Sequence, residues 1–149
     1  MPQIEKDYVA TGKLRYVVLD FPLESIHKNA FKAAEASRCA GGQGKFWEMF
    51  DQLFTHQQAL SPTDLAGYAQ TVGLNGHVFQ ACLESGTYAA AIRKDLAEGQ
   101  KAGVTGTPAF FIGVADGKDG KIKVQRTLKG AQGYAAFQAA LDGLLAGQK

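Results

Sequence analysis

The segment that most constrains this chain runs from His27 to about Gln100, where apolar residues recur at helical spacing between two β-rich flanks. Ala30, Ala33, Ala34 and Ser37 are small residues at helical spacing and would let helices approach closely. After the Gly41-Gly42-Gln43-Gly44 turn, Phe46, Met49, Phe50, Leu53 and Phe54 form one apolar stripe on a second helix. Ser61-Pro62-Thr63-Asp64 reads as an N-cap with proline at the first helical position, opening a helix that ends at Gly73. A short helix over His77 to Glu84 and a longer one from about Thr87 to Ala102 complete the block.

The flanks read differently. Ile4 to Ala10 carries Ile4, Tyr8 and Val9 on one helical side and stops at Thr11-Gly12. Leu14 to Phe21 is β-branched and aromatic, is ended by Pro22, and is predicted to be a buried strand. Beyond the block, Ala109 to Val114 is a second apolar strand. Asp116 to Gly120 is a turn cluster, and Lys121 to Leu128 alternates as a hairpin partner with one wet face would. Gly133 to Leu145 closes the chain as a helix with Tyr134, Phe137, Leu141, Leu144 and Leu145 on its core face. The order is helix, strand, helical block, two strands, helix, with no linker marking a second independent domain.

A chain of 149 residues, 46% of them hydrophobic, can build one core without disulfides, burying roughly 70% of the surface its unfolded form exposes. Its 16 basic and 14 acidic residues are scattered and leave a net charge of +2, so no single-sign field exists to hold nucleic acid. No stretch approaches the roughly 18 apolar residues of a membrane span. Met1 to Asp7 lacks the basic and apolar regions of a signal peptide. Cys39 and Cys82 are 43 positions apart, which excludes a Cys-x-x-Cys redox motif and a cysteine-rich zinc framework.

Three stretches in this order resemble the DsbA-like branch of thioredoxin-fold proteins. They are Phe21-Pro22-Leu23 with His27 and the Ala-rich helix; Gln43-Gly44-Lys45-Phe46-Trp47-Glu48-Met49-Phe50; and Gly103-Val104-Thr105-Gly106-Thr107-Pro108-Ala109-Phe110-Phe111. The resemblance implies an α/β fold, a thioredoxin-like sheet with an inserted helical domain. Residues 1–24 and 103–149 would form the sheet part of a single domain, and residues 25–102 the inserted helical subdomain. It also implies that Pro108 is a cis-proline, with Thr107 its substrate-contacting neighbour.

The chain departs from that family at its start. Family members begin with a strand and a Cys-x-x-Cys at the head of a helix, whereas this chain starts inside that helix. The central strand and both redox cysteines are therefore expected to be absent, as in an N-terminally truncated relative, and no catalytic residue carries over. Exchange needs an accessible thiolate. The strands Leu14 to Phe21 and Ala109 to Val114 would each keep an unpaired apolar edge. A dimer, with a second copy lending the missing strand, or a rearranged sheet is the expected remedy.

Cys39 and Cys82 are open to three readings: two buried thiols, a redox-active pair, or the structural disulfide that similar family members carry. His27, His56 and His77 lack metal-ligand spacing, so no metal is expected. Gly41 to Lys45 lacks the hydroxyl residue after lysine that a phosphate loop needs. Trp47, Phe46, Phe50 and Phe54 are read as core of the helical domain, with an apolar client-facing surface as the alternative.

The expectation is a DsbA-like thiol-disulfide oxidoreductase relative that is inactive in this form, uses no cofactor, and keeps a place for a protein or peptide client near Thr107 and Pro108. The alternative is a non-catalytic binding or assembly module that uses its sheet edge for strand addition or dimerisation. A glutathione-conjugating enzyme on a related fold is a third reading. The family resemblance points to the periplasm.

Overall fold

The structure, a computed structural model, describes residues 2–115 and 122–147. The chain divides into two compact units, one built from Met1–Val18 and Val104–Lys149 and the other from Leu19–Gly103.

In the helical unit, α2 (Ala30–Gly41) packs against α3 (Phe46–Thr55), α4 (Pro62–Thr71), α5 (Gly76–Ser85) and α6 (Ala89–Lys101). Its small residues permit this. Ala33, Ala36, Ser37 and Ala40 are buried, leaving room for Met49, Leu53, Leu65, Ala69, Phe79 and Leu83 from α3, α4 and α5. Each fully buried large side chain contributes about 1.5–3 kcal/mol. The helix starts follow from local chemistry. The Ser61 hydroxyl accepts from the Asp64 N–H while Asp64 accepts from the Ser61 N–H, a reciprocal cap with Pro62 at the first helical position. The Asn75 side chain accepts from the Val78 N–H and opens α5. Gly86, left-handed at φ 63°, closes α5.

The sheet unit opens with α1 (Pro2–Ile4), continued by a π-helical turn over Glu5–Val9 whose Glu5 carbonyl accepts from the Ala10 N–H at 2.8 Å. Two antiparallel strands follow, β1 (Ala109–Ala115) and β2 (Ile122–Lys129), and then α7 (Tyr134–Ala146). Ile4, Tyr8, Ile112, Phe137 and Leu141 form the buried core of the unit. Phe110 meets Phe137 edge to face at 4.8 Å. The hairpin register runs from Ala109 opposite Lys129 to Ile112 opposite Arg126, then resumes with Gly113 opposite Val124, which leaves Gln125 as one extra residue. Only glycine fits there, since a Cβ on Gly113 would lie 2.3 Å from the Lys123 carbonyl oxygen. The expected turn cluster Asp116 to Gly120 lies outside the described residues.

Two expectations are corrected. Leu14 to Phe21 is not a strand: it runs without a ladder partner among the described residues. Leu14, Tyr16, Val18 and Asp20 are half-buried while Arg15, Val17 and Leu19 are exposed. Its residue types favour extended backbone, but a strand exists only with a neighbour to pair with. The α3 aromatics are not core either. Met49 and Leu53 are buried, whereas Trp47 is 48% and Phe54 60% exposed. Helical periodicity tells which residues share a side, not which side is covered.

Candidate functional site

Thr107 and Pro108 stand where α6 has ended and β1 begins. Gly103, at φ 79°, turns the chain out of the helix. The Thr107–Pro108 peptide bond is cis and both residues are exposed. The Pro108 carbonyl accepts from the Gly130 N–H at 2.8 Å, which hooks this loop to the end of β2. Because that carbonyl points at β2, strand alternation directs the N–H and C=O of Phe110 and Ile112 the same way, and those of Ala109 and Phe111 away from it. Phe111 is 43% exposed and its neighbour Ile112 is buried. The start of β1 therefore turns backbone groups away from β2, beside an exposed phenyl ring.

Cys39 on α2 and Cys82 on α5 form a disulfide, with their Cα atoms 5.9 Å apart. The bond sets aside the reading of two separate buried thiols. Cys39 is buried and Cys82 partly so. Both cysteines of the chain are taken up in this bond. The cysteines belong to the helical unit, Thr107 and Pro108 to the sheet unit.

The α3 aromatics form a ladder on that helix. Phe46 meets Trp47 edge-on at 5.0 Å and stacks near Phe50 at 5.9 Å, and Phe50 lies 4.4 Å from Phe54. Lys45, just ahead of that helix, pairs with Glu48 on it at 2.8 Å.

A charged cluster in the helical unit went unseen in the sequence. Arg38 donates from Nε to Asp20 Oδ2 at 2.7 Å and from Nη2 to Asp95 Oδ2, and the Asp20 N–H also reaches Asp95 Oδ2 at 3.2 Å. Burial pushes the Asp20 carboxyl above its ordinary value; Arg38 pulls it down and Asp95 pushes it up again. A signal existed in the sequence, because Arg38, like Glu35, interrupts the run of small residues Ala33, Ala34, Ala36, Ser37, Cys39 and Ala40. Glu35, also on α2, is 2% exposed and pairs with Lys32, whose Nζ also donates to the Leu83 carbonyl at 3.0 Å.

His56 stacks on Tyr68 at 5.1 Å, and its Nδ1 lies 2.9 Å from the Gln52 carbonyl oxygen. Among the described residues no group of three or more His, Cys, Asp or Glu is placed to hold a metal ion, and no helix is long and apolar enough to cross a membrane.

The hairpin backed by α7, with the helical unit inserted ahead of it, defines a thioredoxin-type architecture, and the family model described as "Thioredoxin" matches residues 1–142. The chain belongs to that family. Its fold is DsbA-like. It superposes on the crystal structure of Wolbachia pipientis alpha-DsbA1 with a TM-score of 0.79 at 26% identity, covering 96% of this chain and 74% of that one. Among curated proteins it is similar to the Na(+)/H(+) antiporter NhaA 1 of Salinispora arenicola, 42% identical over 99 residues, which are 66% of this chain and 15% of that protein. It is also similar to the Na(+)/H(+) antiporter NhaA of Herminiimonas arsenicoxydans, 40% identical over 99 residues, 66% of this chain and 16% of that protein. The chain thus spans a small part of the length of the curated relatives it matches.

Proposed function

We propose that this chain is a client-binding domain of the disulfide-oxidoreductase type that performs no disulfide exchange by itself. The observation that carries the reading is the Cys39–Cys82 bond, which takes up both cysteines of the chain. Exchange begins with a thiolate attacking a disulfide sulfur, and a chain without a free thiol has nothing to start it. What remains is a place for an extended polypeptide beside Thr107 and Pro108, supported by their exposure and by the outward backbone groups of Ala109 and Phe111. The extracytoplasmic space, the periplasm in a double-membraned bacterium, suits such a domain, because a structural disulfide persists there. Sodium–proton exchange belongs to the antiporter relatives and is not part of this proposal.

The test is a turnover assay on a reduced dithiol peptide, paired with equilibrium binding of the same peptide in extended form. The expected result is no turnover with measurable binding that weakens at least tenfold in Thr107→Arg. Turnover that disappears in Cys39→Ala or Cys82→Ala overturns the proposal, as does a complete lack of binding.

A second reading, a binding or assembly module working through the edge of β1, is favoured by one observation. β1 carries no ionisable side chain, whereas β2 carries Lys123, Arg126 and Lys129.

A further inference from the structure

The chain has two asparagines, Asn29 ahead of Ala30 and Asn75 ahead of Gly76. Asparagine is thermolabile because its side-chain amide carbon lies within reach of the next residue's main-chain nitrogen. A glycine in that next place leaves the nitrogen unshielded. Asn75 and Gly76 are both exposed, and nothing beyond its own stretch of chain lies within 4 Å of where a Gly76 Cβ would stand. Gly76 is also the first residue of α5, so its N–H has no carbonyl within the helix to bond. The attacking nitrogen and the carbon it would attack thus share one solvent-facing turn of the helical unit.

Ring closure requires the Gly76 nitrogen to swing to the Cβ side of Asn75, and at ψ 107° it is held away. The holding group is the Asn75 carbonyl, because the peptide unit is planar and fixing its oxygen fixes its nitrogen. That oxygen accepts from the Phe79 N–H at 3.0 Å and from Gln43 Nε2 at 3.4 Å. The Asn75 N–H donates to Gln43 Oε1 at 2.9 Å, and Asn75 Oδ1 accepts from the Val78 N–H at 3.1 Å. The bonds from Val78 and Phe79 fray with the first turn of α5. Gln43 reaches in from 32 positions away and grips both main-chain groups of Asn75.

We infer that the Asn75–Gly76 step is a spontaneous deamidation site and that Gln43 guards it. When the grip opens, the Gly76 nitrogen gives its proton to solvent and bonds to Asn75 Cγ. The Cγ–Nδ2 bond breaks, and the side-chain nitrogen takes a proton from solvent and leaves as ammonia. Water then adds to either carbonyl of the cyclic imide and opens it. One product is an aspartate at position 75, which keeps the cap and adds an anion at the start of α5. The other is an isoaspartate, whose main chain is one carbon longer and slips out of register with Gln43.

The experiment ages the whole chain at mildly alkaline pH and maps aspartate and isoaspartate at positions 29 and 75 by peptide mass spectrometry, with circular dichroism to report folding. The expected result is that position 75 of Gln43→Ala converts about fivefold faster than that of the wild type, the loss of one hydrogen bond of ordinary net strength. Position 29 should stay asparagine in both, and Gly76→Ala, whose methyl group shields the nitrogen, should convert more slowly than the wild type. Wild type unfolded in urea is the second measurement. Freed of the grip, its position 75 should convert faster than in the folded chain, whether or not Gln43→Ala folds. Equal rates in wild type and Gln43→Ala overturn the inference, as does an intact position 75 in both. Folded wild type converting as fast as the unfolded chain, or Gly76→Ala converting as fast as wild type, does the same.

Discussion

The hydroxyl of Tyr8 donates to the carboxylate of Asp142 at 2.7 Å, across 134 positions of sequence. A second pair runs alongside, Tyr134 donating to Asp7 at 2.6 Å, so the first helical segment and α7 each give one tyrosine and one aspartate. Tyr8 is buried and its ring belongs to the core, while its polar tip is satisfied by the exposed Asp142.

Tyr8→Phe keeps the ring and removes the charge-assisted hydrogen bond. The expected loss is about 1.5 kcal/mol, read from the midpoint of urea unfolding. An unchanged midpoint shows the pair to be inert.

The same pairs make a pH prediction. The bond to Asp142, with burial, pushes the Tyr8 hydroxyl well above its ordinary 10.0. The bond to Asp7 is the main cause of the upward push on Tyr134. A tyrosine held neutral in the folded state stabilises it fully below pH 10 and loses that contribution as pH rises through the folded value. Stability should therefore fall on the alkaline side of pH 10, less steeply in Tyr8→Phe. Tyrosinate absorbance should show Tyr8 and Tyr134 ionising late, together with Tyr16 and Tyr68, which burial pushes the same way.

Arg38→Ala removes the one guanidinium that two aspartates share. With Asp20 and Asp95 left facing each other, the expected cost is about 3 kcal/mol. Asp20→Asn should behave differently. Burial raises the Asp20 carboxyl in the folded state, so its contribution is fully present below the unfolded value of 3.8 and is lost as pH rises through the folded one. Removing that charge should be nearly neutral, or slightly stabilising, at pH 7 and should flatten the acid limb of the stability profile. Denaturant melts from pH 3 to 7 on both variants check this, and equal losses in the two would refute it.

Gly99 on α6 is pressed by Phe21, whose ring atoms would lie 2.7 Å from a Cβ there. Gly99→Ala should cost about 1–3 kcal/mol despite its better helix propensity. Phe21→Leu in the same chain should recover part of the loss, and strict additivity of the two changes would argue against the contact.

Reducing the Cys39–Cys82 bond reopens a loop of 43 residues. In the chain-entropy account this costs about 4 kcal/mol. The Cys39→Ala, Cys82→Ala double variant should show a similar loss without reductant and no further change with it.

Most of this architecture could be read from residues. Ser61, Pro62 and Asp64 announced α4, and the α7 face from Tyr134 to Leu145 was visible in its periodicity. What stayed hidden depends on partners rather than on local pattern. Leu14 to Phe21 has strand composition, yet its pairing depends on a neighbour that local residue types do not specify. Phe46, Phe50 and Phe54 share a side of α3 with Met49, but the small residues of α2 receive Met49 and Leu53 instead. Arg38 finds Asp20 and Asp95 at sequence distances of 18 and 57, beyond any local rule. The disulfide was one of three readings, because two cysteines 43 positions apart fix no geometry.

The extra residue in β2 works as a parity switch. In an unbroken ladder that paired Gln125 as well, the even-numbered residues Ile122, Val124, Arg126 and Leu128 would all share the side of Phe110 and Ile112, as their alternation suggests. One additional position turns the far half of the strand over. Val124 then stands opposite Gly113 and Ile122 opposite Ala115, and both are exposed, while Arg126 and Leu128 keep their side. A hydrophobic pattern written for one surface is thus divided between two by a single residue, and deleting Gln125 would remove the bulge yet keep the division, because Val124 would then directly adjoin Arg126 and adjacent residues of a strand face opposite ways.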